Sequence, residues 1–207
     1  MYNTMKRMLF GLCLALMPIT MMAQQLHKMW VNMPTSVAGP LEKSVRQELL
    51  DLKEMKKTAV IEGLLGEESR IDTLTNDFLL ANLSKVSTLQ MKMLPAANGD
   101  SLLCLVQTFM GPTPESVISF YTSDWKTLSM PEMQLDVELQ KPSDMSLEDF
   151  NKLQAQFDPK LLSFTLSPSS NELVVTLSPV FVSEVEKSNM KALVLQRKFK
   201  WNGKTFN

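Results

Sequence analysis

The sequence predicts an α+β fold in two halves, each an amphipathic helix followed by an antiparallel meander. Three observations predict it. Apolar residues recur at helical spacing from Leu41 to Leu52 and again from Leu147 to Phe157. Each stretch is followed by short runs of β-branched, aromatic and long aliphatic residues. Those runs are closed by turn residues, Pro, Gly, Asn and Ser among them. Helices packed on one face of antiparallel sheet satisfy all three.

The first 23 residues stand outside this fold and read as a secretory signal peptide. Lys6 and Arg7 form the positive region, Met8 to Met17 the apolar stretch, and Pro18 to Ala23 the breaker and cleavage end, with the cut expected between Ala23 and Gln24. The stretch is interrupted by Gly11 and Pro18 and is too short to span a bilayer, which takes roughly 20 apolar residues. Phe10, Gly11 and Leu12 before Cys13 do not make a lipidation site. The mature chain, residues 24–207, is expected in the periplasm or outside the cell as one α+β domain with two lobes, about 24–130 and 131–207. It holds no second stretch that could be a transmembrane helix.

In the first lobe Leu41, Val45, Leu49 and Leu52 mark a helix from Leu41 to about Met55, with Pro40 presetting its first turn and Glu42 placed to pair with Arg46. Gly63, Gly66, Glu67, Glu68, Arg70 and Asp72 read as a polar loop or short helical turn. Strands are expected near 78–83, 86–94, 101–110 and 116–121. Asn98-Gly99 followed by Asp100 is a hairpin signal, since Asn and Gly accept positive φ. Leu102 to Val106 is apolar on both alternating faces, which places that strand centrally under two covers.

The second lobe opens with a loop from Pro131 to Pro142, within which Leu135, Val137 and Leu139 alternate as a strand would. A helix begins at Ser146, whose hydroxyl can cap the N–H of Asp149, and runs through Phe150, Leu153 and Phe157 until Pro159 stops it. Strands near 161–167 and 172–179, a short helix from Glu184 to Met190 and a last strand from Leu193 to Trp201 complete the order. The helix-plus-strand pattern resembles the modules found in tandem in β-lactamase-inhibitor-protein-like folds, a likeness of pattern that carries no function.

Composition narrows the chemistry. The formal net charge is −1, and losing Lys6 and Arg7 with the signal makes the mature chain more acidic, so there is no basic footprint for nucleic acid. Cys104 is the one cysteine left after cleavage, which rules out an intrachain disulfide and leaves the fold to its apolar core. Met91, Met93 and Met110, within strand-like runs, read as core filler. His27 is the one histidine and lies near the mature N-terminus, where chains fray. With one Cys it cannot complete a zinc site, and no Gly-x-Ser-x-Gly elbow accompanies it. No metal and no cofactor is expected.

Ser123-Asp124-Trp125-Lys126 matches the Ser-x-x-Lys pattern of penicillin-binding and β-lactamase enzymes, but the companion Ser-Asp-Asn and Lys-Thr-Gly motifs are missing. Glu67, Glu68, Asp72 and Asp77 lack the spacing of a calcium loop. A pair of carboxylates for glycoside hydrolysis is not singled out.

Val31-Asn32-Met33-Pro34, Arg46 to Leu52, Ser69 to Leu74, Leu89 to Pro95 and Phe120 to Lys126 together resemble the domain-of-unknown-function 3256 family of exported proteins from Bacteroidales bacteria. The resemblance covers nearly the whole mature chain, including Trp201 to Lys204 and Phe206. It implies an envelope or extracellular location and brings no assigned activity, so no functional residue is carried over. Asp72-Thr73-Leu74 and Asp100-Ser101-Leu102 match the short O-glycosylation pattern of such exported proteins, which makes Thr73 and Ser101 acceptor candidates.

Aromatic residues are enriched where proteins bind partners or stack on sugars, and Tyr121, Trp125 and Trp201 are the candidates for a recognition surface, with Phe120 beside them. Core packing is the competing reading. Two functions are therefore expected to compete: a non-catalytic binding or scaffolding module of the envelope, with a protein or glycan partner, and a carboxylate-dependent hydrolase of glycan or peptide.

Overall fold

The computed structural model describes residues 23–39, 41–63, 67–139, 141, 143–179 and 195–207. The signal segment and the Glu184–Met190 helix lie outside the described residues. Helix α1 (residues 23–31), α2 (Thr35–Ala38) and α3 (Lys43–Glu54) precede six strands: β1 (Val60–Glu62), β2 (Glu68–Leu74), β3 (Phe78–Ser84), β4 (Ser87–Pro95), β5 (Ser101–Met110) and β6 (Pro114–Tyr121). Helix α4 (Leu147–Ala155) and strands β7 (Leu161–Leu166), β8 (Glu172–Ser178) and β9 (Leu195–Lys200) follow. The six strands form one antiparallel meander in sequence order, and β7-β8-β9 form a second. The fold class is α+β, as the sequence predicts. The two helix-and-meander halves are unequal, with three helices and six strands in the first against one helix and three strands in the second, among the described residues.

Alternation along β4 and β5 decides the layering, because successive side chains of a strand point to opposite faces. Leu89, Met91, Met93, Leu103 and Leu105 share a core with Leu26, Met29 and Trp30 of α1 and Leu49 and Leu50 of α3. Leu94, Leu102, Cys104 and Val106 point the other way, into a second core with Phe164, Leu166, Leu173, Val175 and Phe199 of the smaller sheet. The larger sheet thus lies between helices and the smaller sheet. Leu102 to Val106 sit under two covers, and the hairpin at Asn98-Gly99 turns where the sequence places it, with Gly99 at φ 88°.

On the sheet-facing side, polar side chains make the join. Gln90 Nε2 donates to Phe164 O (3.1 Å), and its Oε1 accepts from Leu166 N (2.8 Å). Ser116 Oγ accepts from Phe164 N (3.0 Å), so side chains of β4 and β6 satisfy Phe164 and the Leu166 N–H on the outer edge of β7. Lys92, fully buried, is paired to Asp77 at 2.8 Å and donates to Pro168 O.

Four expectations are corrected. The polar loop of residues 63–72 is largely strand: in β2, Ser69 and Ile71 turn inward while Glu68, Arg70 and Asp72 face water. Leu135 and Val137 are buried but belong to no strand, because the 133–139 segment packs on the second core without backbone pairing. His27 lies within α1, with Nδ1 2.8 Å from the Glu54 carboxylate. Arg46 does not pair with Glu42, because its buried guanidinium donates to the carbonyls of Val31 (3.0 Å), Met33 (2.9 Å) and Leu41. It thereby clamps the end of α1 and the following turn onto α3, and Trp30 Nε1 returns a hydrogen bond to Arg46 O (2.8 Å).

Candidate functional site

An opening among the described residues follows from how α3 meets the sheet. Leu49 and Leu50 enter the core, but one turn earlier Val45 is only half-buried. Opposite it a row of side chains crosses three strands: Ile61 of β1 pairs with Ser69 of β2, whose hydroxyl donates to Leu83 O of β3 (2.9 Å). Between this row and Ala38, Leu41 and Val45 lies a slot of about 630 Å³, in the range of small-ligand sites. Its walls are aliphatic. Glu42, Glu62 and Glu67 stand exposed at its mouth, and none of these carboxylates has an ion pair or hydrogen bond among the described residues.

A second cavity of about 370 Å³ lies among Val137, Leu139, Phe157 and Leu177, with Glu138 and Asp158 exposed at its rim. Lys160, also at this rim, faces Asp136 at 3.7 Å. Both cavities carry acids in water, whereas general acid catalysis by a carboxyl at neutral pH needs burial to keep the proton on.

The predicted recognition aromatics divide between the two faces of the sheet. Tyr121 and Trp125 pack together on the helix side with ring centroids 5.1 Å apart and the rings tilted at 56°, both half-buried. Trp125 has φ 63°, unusual for a side-chain-bearing residue, and its indole N–H is buried without a partner among the described residues. Trp201 lies on the opposite face, buried against Phe120 (5.9 Å) and Phe206 (5.2 Å), with Nε1 donating to Pro95 O (2.6 Å). The fold thus uses Trp201 to seat the last strand against the β4–β5 hairpin. The slot itself has no aromatic wall among the described residues, so the aromatic signal missed it.

Ser123-Asp124-Trp125-Lys126 forms a turn after β6 and does not start a helix. Lys126 Nζ meets Asp124 at 2.7 Å, and that bond, with one from Thr122, holds the Asp124 carboxyl below the usual range while raising Lys126. The lysine is thereby kept charged, the opposite of what a base needs. Cys104 is wholly buried and its thiol is pushed far up by desolvation, so no thiolate is at hand. Among the described residues no three His, Cys, Asp or Glu converge as metal ligands. Thr73 lies in β2 opposite Leu80 at a shift in register, and Ser101 opens β5 opposite Pro95; both are half-buried. No helix of the described residues is long and apolar enough to cross a membrane.

A family model described as a protein of unknown function (DUF3256) matches residues 18–206. Among solved structures, the chain is similar to a domain of an uncharacterized protein from Porphyromonas gingivalis W83, with a TM-score of 0.69 and 24% identity over 88% of this chain and 98% of that one. That likeness concerns the fold. No curated protein matches.

Proposed function

The chain belongs to the DUF3256 family, and from that premise we propose that it is an exported, non-catalytic binding or scaffolding module of the cell envelope. Its working part is the slot between α3 and β1–β3. The observation that carries this reading is an aliphatic cavity of about 630 Å³ ringed by carboxylates unpaired among the described residues, in a fold where His27 is engaged and Cys104 is buried. An aliphatic slot favours the apolar part of a protein partner over a glycan, which would be met by stacked rings and hydrogen-bonding side chains. The competing function, carboxylate hydrolysis of glycan or peptide, is disfavoured by the exposure of the acids at both cavities. In the exported protein Thr73 and Ser101 are proposed O-glycan acceptors. A mass shift at these residues in native but not in heterologously expressed protein supports that assignment.

The slot is tested with Nile red, a neutral apolar dye that brightens on leaving water. Wild-type protein is expected to bind it saturably. Val45→Phe, which fills the slot, is expected to weaken binding by about tenfold or more, whereas Leu139→Phe in the second cavity leaves it unchanged. Equal binding by Val45→Phe overturns the assignment.

A further inference from the structure

Edge strands leave backbone N–H and C=O groups unpaired unless the fold covers them. Three of the four sheet edges here are covered in part. At β6, Leu128 N donates to Phe120 O (2.8 Å) and Tyr121 bridges to Thr127. At β7, Gln90 and Ser116 take the free groups of Phe164 and Leu166. At β9, Lys200 and Asn207 exchange two hydrogen bonds (2.8 and 3.1 Å) as the C-terminus folds back.

β1 differs. Gly63 N donates to Glu67 O (2.7 Å) and Ile71 N to Ala59 O (3.1 Å), which fixes the phase of the ladder. Residues 59, 61 and 63 face β2, so Val60 and Glu62 turn their N–H and C=O outward, and these groups have no partner among the described residues. This open edge runs directly into the slot, whose wall includes Ile61, Glu62 and Gly63. The described lining carries Glu42, Glu62 and Glu67 and no Lys, Arg or His.

We propose that β1 is a docking edge for an extended segment of a partner protein that is both basic and apolar. The segment adds as a strand beside Val60–Glu62, places an apolar side chain next to Ile61 in the slot, and sets Lys or Arg against Glu62, Glu67 and Glu42. The proposal rests on the slot being the binding site and names what fills it. With three residues in β1 the backbone bonds are few. Affinity therefore comes mostly from the buried side chain and the charges, which makes it salt-sensitive.

The test uses two fluorescently labelled seven-residue peptides, one alternating Lys and Val and one alternating Glu and Val, with dodecyltrimethylammonium as a cation lacking a backbone. Val60→Pro removes the outward N–H without touching the ladder to β2, since proline is tolerated on an open edge. Melting temperature checks that each variant is folded. The Lys-Val peptide is expected to bind wild type and to lose about tenfold or more in affinity with Val60→Pro, while Nile red binding stays intact. Glu62→Lys with Glu67→Lys is expected to reverse the preference toward the Glu-Val peptide. Equal binding of both peptides by wild type, or unchanged binding of the Lys-Val peptide by Val60→Pro, overturns the proposal. So does displacement of Nile red by dodecyltrimethylammonium when neither peptide binds, which would make the occupant a cationic amphiphile. Failure of Nile red itself to bind would sink the slot and not merely the choice of occupant.

Discussion

The two faces of the six-stranded sheet are closed by different means. On the face toward β7–β9, Gln90, Lys92 and Ser116 reach across to named backbone groups and to Asp77. On the helix face, Leu, Met and Trp side chains make the contact, and the buried Arg46 ties helix to helix. Directional bonds fix both spacing and register, whereas apolar contact tolerates a gap at its margin. The slot accordingly opens on the helix face, where α3 stops burying its side chains.

The largest effect is expected at Arg46. Arg46→Met keeps most of the volume but leaves the carbonyls of Val31, Met33 and Leu41 in the interior without a donor. A loss of about 3–5 kcal/mol in denaturant unfolding is expected, since stranding buried polar groups is what makes such substitutions severe. A variant as stable as wild type would show that packing alone holds the helix face, and the contrast would rest on β4 and β6 only.

A smaller effect is expected on the opposite face. Gln90→Leu strands Phe164 O and Leu166 N, for a loss of about 2–3 kcal/mol. The contrast predicts where the loss is felt: amide exchange should quicken at Leu166 and its neighbours in β7 and remain slow in α1 and α3. Uniform acceleration through both layers would mean that the two closures do not act independently.

These differences explain what was legible in the sequence. The hairpin at Asn98-Gly99 and the doubly covered run Leu102 to Val106 were readable because turn chemistry and two-sided apolarity are local signals. β2 was hidden, because its outward Glu68, Arg70 and Asp72 outweigh the inward Ser69 and Ile71 in any composition count. The slot could not be read at all, since its walls come from two helices and three strands brought together by tertiary contact. Aromatic content pointed to Trp201, a residue spent on packing. The unpaired edge of β1 depends on ladder phase, which a sequence does not display.

The smallest expected effect concerns protons. Each face buries a group that desolvation drives toward its neutral form: the Arg46 guanidinium is pulled below its ordinary value and the Cys104 thiol is pushed above its own. Arginine stays protonated through the whole accessible range. The thiol is different, because the unfolded chain begins to ionise near the ordinary value of 9.0 while the folded chain still holds the proton. Above that pH the native state binds one proton more than the unfolded state, so stability falls as pH rises. The thiol's contribution to this slope tends toward about 1.4 kcal/mol per pH unit, and below the ordinary value it vanishes. Cys104→Ala, unfolded by denaturant at several pH values from 8 to about 10.5, should therefore lose less stability per pH unit than wild type, whatever its stability at pH 8. Parallel slopes in the two proteins would mean that Cys104 reaches water in the native state, and that the sheet-facing core is looser than its hydrogen bonds suggest.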